Sequence, residues 1–168
     1  MRRTNGNGRD RHSSPVRGFV GGALAGVAGA WVMNRWHDAV ASGQQSQGGE
    51  DESATVKAAD ALSRRFAHHP LAERAKQPAG TAVHYGYAAL AGGLYGAAAE
   101  ALPAVSMARG VPWALGLWLF GDELAVPALH LAKPPAQVPM RTHAEALSAH
   151  LVYGLTADTL RRSVRAML

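Results

Sequence analysis

The sequence predicts an all-α integral membrane bundle of four transmembrane helices, with a short amphipathic helix in the first outer loop. Three observations predict it. Charged residues make up 17% of the 168-residue chain, against roughly 25% in an ordinary soluble domain. Gly18 to Asn34 is a run of 17 residues without a charge, and Gln77 to Ala99 is a run of 23; a bilayer core takes about 20 helical residues. Neither run carries the polar face that a soluble amphipathic helix repeats every 3.6 residues. The mean hydropathy of −0.08 hides these runs, because it averages them with an Arg-rich start and a polar loop.

The elements follow in order. Residues 1–17 form a basic tail holding Arg2, Arg3, Arg9, Arg11 and Arg17. Residues 18–168 form a single four-span membrane domain, with spans at about 18–36, 80–102, 111–132 and 142–160. The outer loop is 37–79. It opens with a flexible GQQSQGG link at 43–49, and Glu50, Asp51, Glu52 and Ser53 then make a capping-competent, acidic helix start. Val56, Ala59, Leu62 and Phe66 recur at helical spacing before Pro70, so 53–68 reads as a surface helix lying on the membrane. Pro70 to Lys76 adds one short turn ahead of Pro78. The third span is interrupted only by Asp122 and Glu123; the fourth contains His143, Glu145, His150 and Asp158. A cleavable secretory signal ending at Ala39-Val40-Ala41 is the competing reading of the start. The polar residues Asn34 to Asp38 stand between the apolar run and that site, which favours a retained span.

Composition narrows the classes. There is no cysteine, which excludes disulfide scaffolds, thiol catalysis and iron–sulfur ligation. The net charge is +5, and the basic residues cluster beside the spans. Arg2, Arg3, Arg9, Arg11, Arg17, Arg109, Arg161, Arg162 and Arg165 fall on one side, which places both termini in the cytoplasm. The basic excess therefore meets anionic membrane lipid. No aromatic-interleaved basic motif points to nucleic acid.

Gly18, Gly22 and Gly26 recur every four residues, with Ala30 continuing the row; Gly92 and Gly96 repeat the device in the second span. Rows of small residues let helix backbones approach where lipid offers no hydrophobic drive. The row serves either packing within the four helices or a seam to a homo-oligomer or larger membrane complex. Trp31, Trp36, Trp113 and Trp118 read as interfacial anchors.

Ionisable residues at membrane depth carry the functional question. Glu123 in span three and His150 in span four lie at similar depth and form the central candidate pair. Asp122 is the weaker candidate, since adjacent helical residues point about 100° apart. Glu123, Pro127 and His130 share one helix face, as do His143 and His150. His84, His130 and His143 line the outer entrance. Bland readings stand beside these. Thr142 and Glu145 have capping-box spacing, His143 and His84 sit at helix boundaries, and Glu123 and His150 satisfy one another. Pro127 removes the hydrogen bond to the Glu123 carbonyl and kinks or breaks the helix there. No His-x₃-His or Glu-x-x-His pair occurs within the spans, so no metal site is expected. No cofactor is required; haem would need facing histidines, which His84 with His150 or His130 could supply. Without a nucleophile–base arrangement, phosphate loop or nucleotide fingerprint, no enzyme is expected.

From His84 onward the order of residues resembles the YagU-like family of bacterial inner-membrane proteins. The features are His84, Tyr95-Gly96, Glu100 and Pro103, then the Gly-containing third span with Pro127. Pro134-Pro135 and Pro139, Glu145 with His150, and Arg161-Arg162 with Arg165 follow. Ser148 departs from the glycine expected two residues before the histidine. The resemblance covers roughly the last 85 residues and implies a small integral inner-membrane protein, without an activity. Three functions fit: binding or passing a proton, ion or small solute; a non-catalytic accessory or scaffold subunit packing through its Gly-rich helices; and a redox protein holding haem or quinone.

Overall fold

The computed structural model describes residues 14–41 and 52–167. The basic residues Arg2, Arg3, Arg9 and Arg11, the 43–49 link, and Glu50 and Asp51 lie outside the described residues. The described residues are all-α, without a strand. Three long helices, α1 (Pro15–Ala41), α3 (Glu73–Ala101) and α6 (Met140–Met167), form the frame. A short α2 (Ala54–Phe66) packs on α3. Between α3 and α6, α4 (Val111–Gly116), a π-helix (Leu117–Ala125) and α5 (Val126–Ala128) wind as one rod. The chain runs up, down, up and down, with α1 packed against both α3 and α6 and the α4 rod against α6.

Small residues set the spacing of α1 and α3. A Cβ on Gly22 would collide with the Gly92 carbonyl oxygen, one on Gly92 with that of Gly22, and one on Gly96 with that of Gly18. The Gly18, Gly22, Gly26 row is therefore used inside the chain, and the backbones touch along three turns. That removes the face through which the sequence allowed an oligomer seam. Gly29 of α1 sits against Tyr153 of α6, and Gly154 of α6 against Ala114, in the same manner.

The core is composed of Ala25, Ala30, Ala88, Ala91, Ala114, Ala149 and Ala157 with two tyrosines, Tyr95 and Tyr153, and three buried polar residues, His150, Asp158 and Arg161, and Val56 and Ala59 of α2 are buried beside α3. Leu24, Trp31, Leu90, Leu94, Phe120 and Leu124 are half or more exposed. Small and polar groups lie inside and large apolar ones outside, the reverse of a water-soluble core.

Helix bounds depart from expectation at several places. One helix, over Pro15–Val40, is long and apolar enough to cross a membrane, with a mean hydropathy of 1.4. It outlasts the expected 18–36 because Arg35 and Asp38 pair across one turn at 3.0 Å and keep the polar end helical. The expected turn before Pro78 is absent as a separate element: α3 starts at Glu73 and runs through Pro78. Proline that early forfeits a single hydrogen bond, to the Arg74 carbonyl. The third apolar stretch stops at Ala128 instead of 132, where Leu129 leaves the helix and His130 turns left-handed at φ 58°. Its rod is at most about 27 Å long at 1.5 Å per residue. α6 starts at Met140, two residues before Thr142. Thr142 is consequently inside the helix, and Glu145 accepts from Arg141 Nε at 2.8 Å instead of closing a capping box.

Polar contacts hold the segment from Glu52 to Lys76. Ser53 caps α2 by accepting from the Val56 amide, and Gly80 of α3 lies against Val56. Asp60 accepts from Arg64 at 2.7 Å and from the Leu71 amide at 2.7 Å. Those donors, Arg64 first, hold the Asp60 carboxyl below the usual carboxylate range. Lys76 bridges Glu52 at 2.7 Å and Glu73 at 2.5 Å, which pushes its ammonium further up. Between α3 and α4, the turn Pro103–Gly110 places Ala108, Arg109 and Gly110 in left-handed backbone. Gly110, at φ 80°, has no room for a side chain beside the Gly154 carbonyl oxygen at 2.8 Å from an added Cβ.

Candidate functional site

Pro127 lacks the amide that would continue the α-helical ladder, and the preceding turn is π-helical: the Val126 amide donates to the Gly121 carbonyl, five residues back. This widened turn carries Gly121, Asp122 and Glu123, and it leans on α6 and away from α3. A cavity of 610 Å³ fills the gap. Its walls are apolar for the most part, with Ala88 and Ala91 of α3, Met33 of α1, and Leu117, Val126 and Leu129 of the rod. Ser53, Thr55 and Ala58 of α2 roof it, with His37 at the rim.

Asp122, His150, His84 and Tyr87 are among the polar residues that line this space, with Tyr153, Ser53, Thr55 and His37. Asp122 Oδ2 lies 3.6 Å from His150 Nδ1, a loose pair, and the carboxylate side chain is 42% accessible where the His150 ring is 11%. His150 Nδ1 donates to the Ala146 carbonyl at 2.9 Å. Its other neighbour is a carboxylate, so Nδ1 carries the proton and Nε2 is the acceptor nitrogen. His84 is held edge-on to Tyr85, ring centroids 5.3 Å apart, and its Nε2 is buried without a hydrogen-bond partner among the described residues. An unpaired buried nitrogen costs about 1–3 kcal/mol, and His84 is on the wall of this cavity.

His84 also lines a second cavity of 230 Å³, with Asn34, Thr55, Gln77, Thr81 and Tyr85. This one is polar. It lies at the α2 end of the bundle and shares the His84 wall with the apolar cavity, which gives a polar vestibule in front of an apolar chamber.

The expected Glu123–His150 pair does not form. Glu123 turns to the start of α6 and accepts from His143 Nδ1 at 2.6 Å, while His143 Nε2 donates to the Pro135 carbonyl at 3.2 Å. Both ring nitrogens face acceptors, so only the imidazolium satisfies them. Glu123 and His143 form a latch over the Pro-rich link, and Asp122, the weaker candidate by sequence, takes the chamber. The π turn re-aims both carboxylates, and an α-helical wheel does not anticipate it. His130 is exposed on the turn after α5 and lines neither cavity. Its helical face with Glu123 disappears because the helix has ended. His143 lies on the latch and Glu145 on an exposed ion pair with Arg141, both outside the chamber lining.

At the opposite end of the bundle is a cluster the sequence reading did not single out. Asp158, fully buried, accepts from Tyr95 Oη at 2.7 Å, Arg161 Nη2 at 3.0 Å and Arg162 Nε at 2.6 Å. Arg161 lies over the Tyr95 ring at 5.4 Å, and Arg162 reaches the Ser106 carbonyl at 3.0 Å. Arg165 grips Glu100 through two nitrogens at 2.8 and 3.2 Å. The spacing of Asp158 to Arg161 and Arg162, three and four residues, was the available signal. Every carboxylate oxygen there is engaged, so the cluster ties α3, the Pro103–Gly110 turn and α6 together, while Arg161 Nε is buried without a hydrogen-bond partner among the described residues. Ser148, which departs from the expected glycine, accepts from Trp36 Nε1 at 3.1 Å and joins α6 to α1. Among the described residues, no group of three His, Asp or Glu could hold a metal ion.

Comparison of the sequence with protein families adds a placement. The chain belongs to the DUF1440 family, proteins of unknown function. The DUF1440 match covers residues 63–159, which takes in His84, Tyr87, Asp122, Glu123, His143, His150 and Asp158. It starts within α2, so α1 and its glycine row lie outside the DUF1440 match. Comparison with curated proteins and with solved structures gives no match.

Proposed function

We propose that this DUF1440 member is a YagU-like, four-span protein of the bacterial inner membrane that binds a small solute in the chamber between α3 and the π-helix. The vestibule beyond His84 is the way in. The observation that carries the reading is the chamber itself, apolar in its walls and set with Asp122, His150 and the unpaired Nε2 of His84. Its volume lies within the roughly 300–1,000 Å³ of ordinary ligand pockets. Intramembrane ionisable residues that face a cavity instead of each other are the usual mark of a solute or ion path.

The membrane reading rests on the inverted core and on α1. Alanine, glycine and polar groups pack inside, while leucine, phenylalanine and tryptophan cover the outside, as bilayer packing requires. Arg109, Arg161, Arg162 and Arg165 share the end of the bundle that also holds the start of α1. That supports cytoplasmic termini and an α2-capped chamber opening outward.

The test is retention of a small molecule. The protein is extracted in lipid nanodiscs, and the small molecules released on unfolding are identified by mass spectrometry. Wild type should release a compound that Gly121→Leu, which fills the chamber, does not. Identical release from the two would overturn the proposal. A Soret band in the same sample would instead assign the chamber to haem held by His84 and His150.

A further inference from the structure

The hydrogen-bonding inventory of the chamber selects a class of ligand, given the reading that the chamber binds a solute. Its lining contains one carboxylate, Asp122, and neither lysine nor arginine. The strong donors nearby are spent within the chain: Tyr153 Oη donates to the Ala88 carbonyl at 2.9 Å, and His150 Nδ1 donates to the Ala146 carbonyl at 2.9 Å. His37 also lines the space and, like the hydroxyls, can donate or accept; the remaining groups are acceptors. Asp122 holds only a loose contact at 3.6 Å, His150 presents Nε2, and His84 presents Nε2 when its proton sits on Nδ1. The hydroxyls of Tyr87, Ser53 and Thr55 can donate or accept and so discriminate nothing.

We propose that the chamber takes a lipophilic monoamine in its ammonium form. The N–H donors meet Asp122, His84 and His150, and the apolar body lies along Met33, Leu117 and Val126. One carboxylate balances one ammonium, so the occupied site is neutral, and three acceptors match the three N–H bonds of a primary ammonium. The Tyr87 and Tyr153 rings add faces that attract a cation. An anionic ligand would meet Asp122 with no opposing charge. A carbonyl ligand such as a quinone would find acceptors where it needs donors.

The test compares three probes of one shape: 4-phenylbutylamine, 4-phenylbutan-1-ol and 4-phenylbutyrate, titrated into the purified full-length protein in nanodiscs. Chamber binding is the component lost in Gly121→Leu. That substitution adds a side chain where an added Cβ meets only the Tyr87 hydroxyl, at 3.4 Å. The expected result is that the amine binds at least about tenfold tighter than the alcohol, the scale of a single charge-assisted hydrogen bond, and the acid weakest. Asp122→Asn should abolish that preference, Asp122→Glu should restore part of it, and Glu123→Gln should leave it intact. The proposal is overturned if the alcohol or the acid matches the amine, or if the preference survives Asp122→Asn in a protein with wild-type helicity. In those cases chamber binding itself still stands. If none of the three shows a component sensitive to Gly121→Leu, the amine assignment and the binding reading fall together.

Discussion

Replacing Gly22 by alanine probes the joint on which the bundle rests. The added Cβ would sit 2.9 Å from the Gly96 Cα and closer still to the Gly92 carbonyl oxygen. Non-bonded heavy atoms rest at about 3.5 Å, and the carbonyl oxygen is the limiting contact, so α1 and α3 must part by about 1 Å at that turn. The obstacle is backbone on both sides, which cannot rotate away. Overpacking of this kind costs about 1–3 kcal/mol. Alanine also gains about 0.8–1.0 kcal/mol over glycine in helix propensity, which would blur a single measurement. Gly86, on the same α3 helix, supplies the reference, because a Cβ there meets nothing within 4 Å. Gly86→Ala collects the propensity gain without the clash, so the difference between the two variants isolates the contact. Thermal unfolding followed by circular dichroism in one micelle preparation should place Gly22→Ala about 1–3 kcal/mol below Gly86→Ala. Equal stabilities, or a more stable Gly22→Ala, would refute the intramolecular seam.

Other expectations follow from the polar contacts. Asp158→Ala strands the buried Arg161 charge and frees the exposed Arg162, which should cost about 3–5 kcal/mol, read as a matching loss in the same unfolding assay. Glu123→Gln removes the anion from His143, at about 1–3 kcal/mol; amide exchange over 131–139 should rise while chamber binding is unchanged. For Asp60, the folded pKa is depressed, so its contribution is present above the unfolded carboxylate value and lost as pH falls through the lower folded one. Hydrogen exchange at the Leu71 amide should accordingly quicken at the acid end of that window and, in Asp60→Asn, at neutral pH as well.

Much of the fold was legible because it depends on local pattern. The spacing of Val56, Ala59, Leu62 and Phe66 behind Ser53 located α2 to within two residues. The glycine row indicated a close helix contact, and charge-free runs located the hearts of α1 and α3. What sequence could not supply was the partner of that row, since an identical pattern serves inside a chain or between chains. The helix ends were missed where a polar pair such as Arg35 with Asp38 extends a helix, or where Pro78 costs one hydrogen bond and no more.

The site was legible by residue and illegible by pairing. His84, Asp122 and His150 were all singled out from their membrane depth. Their grouping was misread because an α-helical wheel was applied to Leu117–Ala125, where the winding is π. That change exchanges the directions of Asp122 and Glu123, and it follows from how the missing Pro127 amide is accommodated, a choice made by tertiary packing. Asp158 was noted within the fourth span but given no role because, read alone, it looks like a solvated helix-end charge. Only the fold brings Tyr95 to it from 63 positions away.

The central claim is a chamber reached through the vestibule at the α2 end. The chain has no cysteine, so a single Gly121→Cys reports on the chamber without background. In sealed proteoliposomes, a membrane-impermeant methanethiosulfonate should modify Gly121→Cys from the α2 side alone. Reaction should be slower than at Thr81→Cys in the vestibule, and blocked when His84→Trp closes the shared wall. Reaction at Thr81→Cys with none at Gly121→Cys from either side would contradict the account.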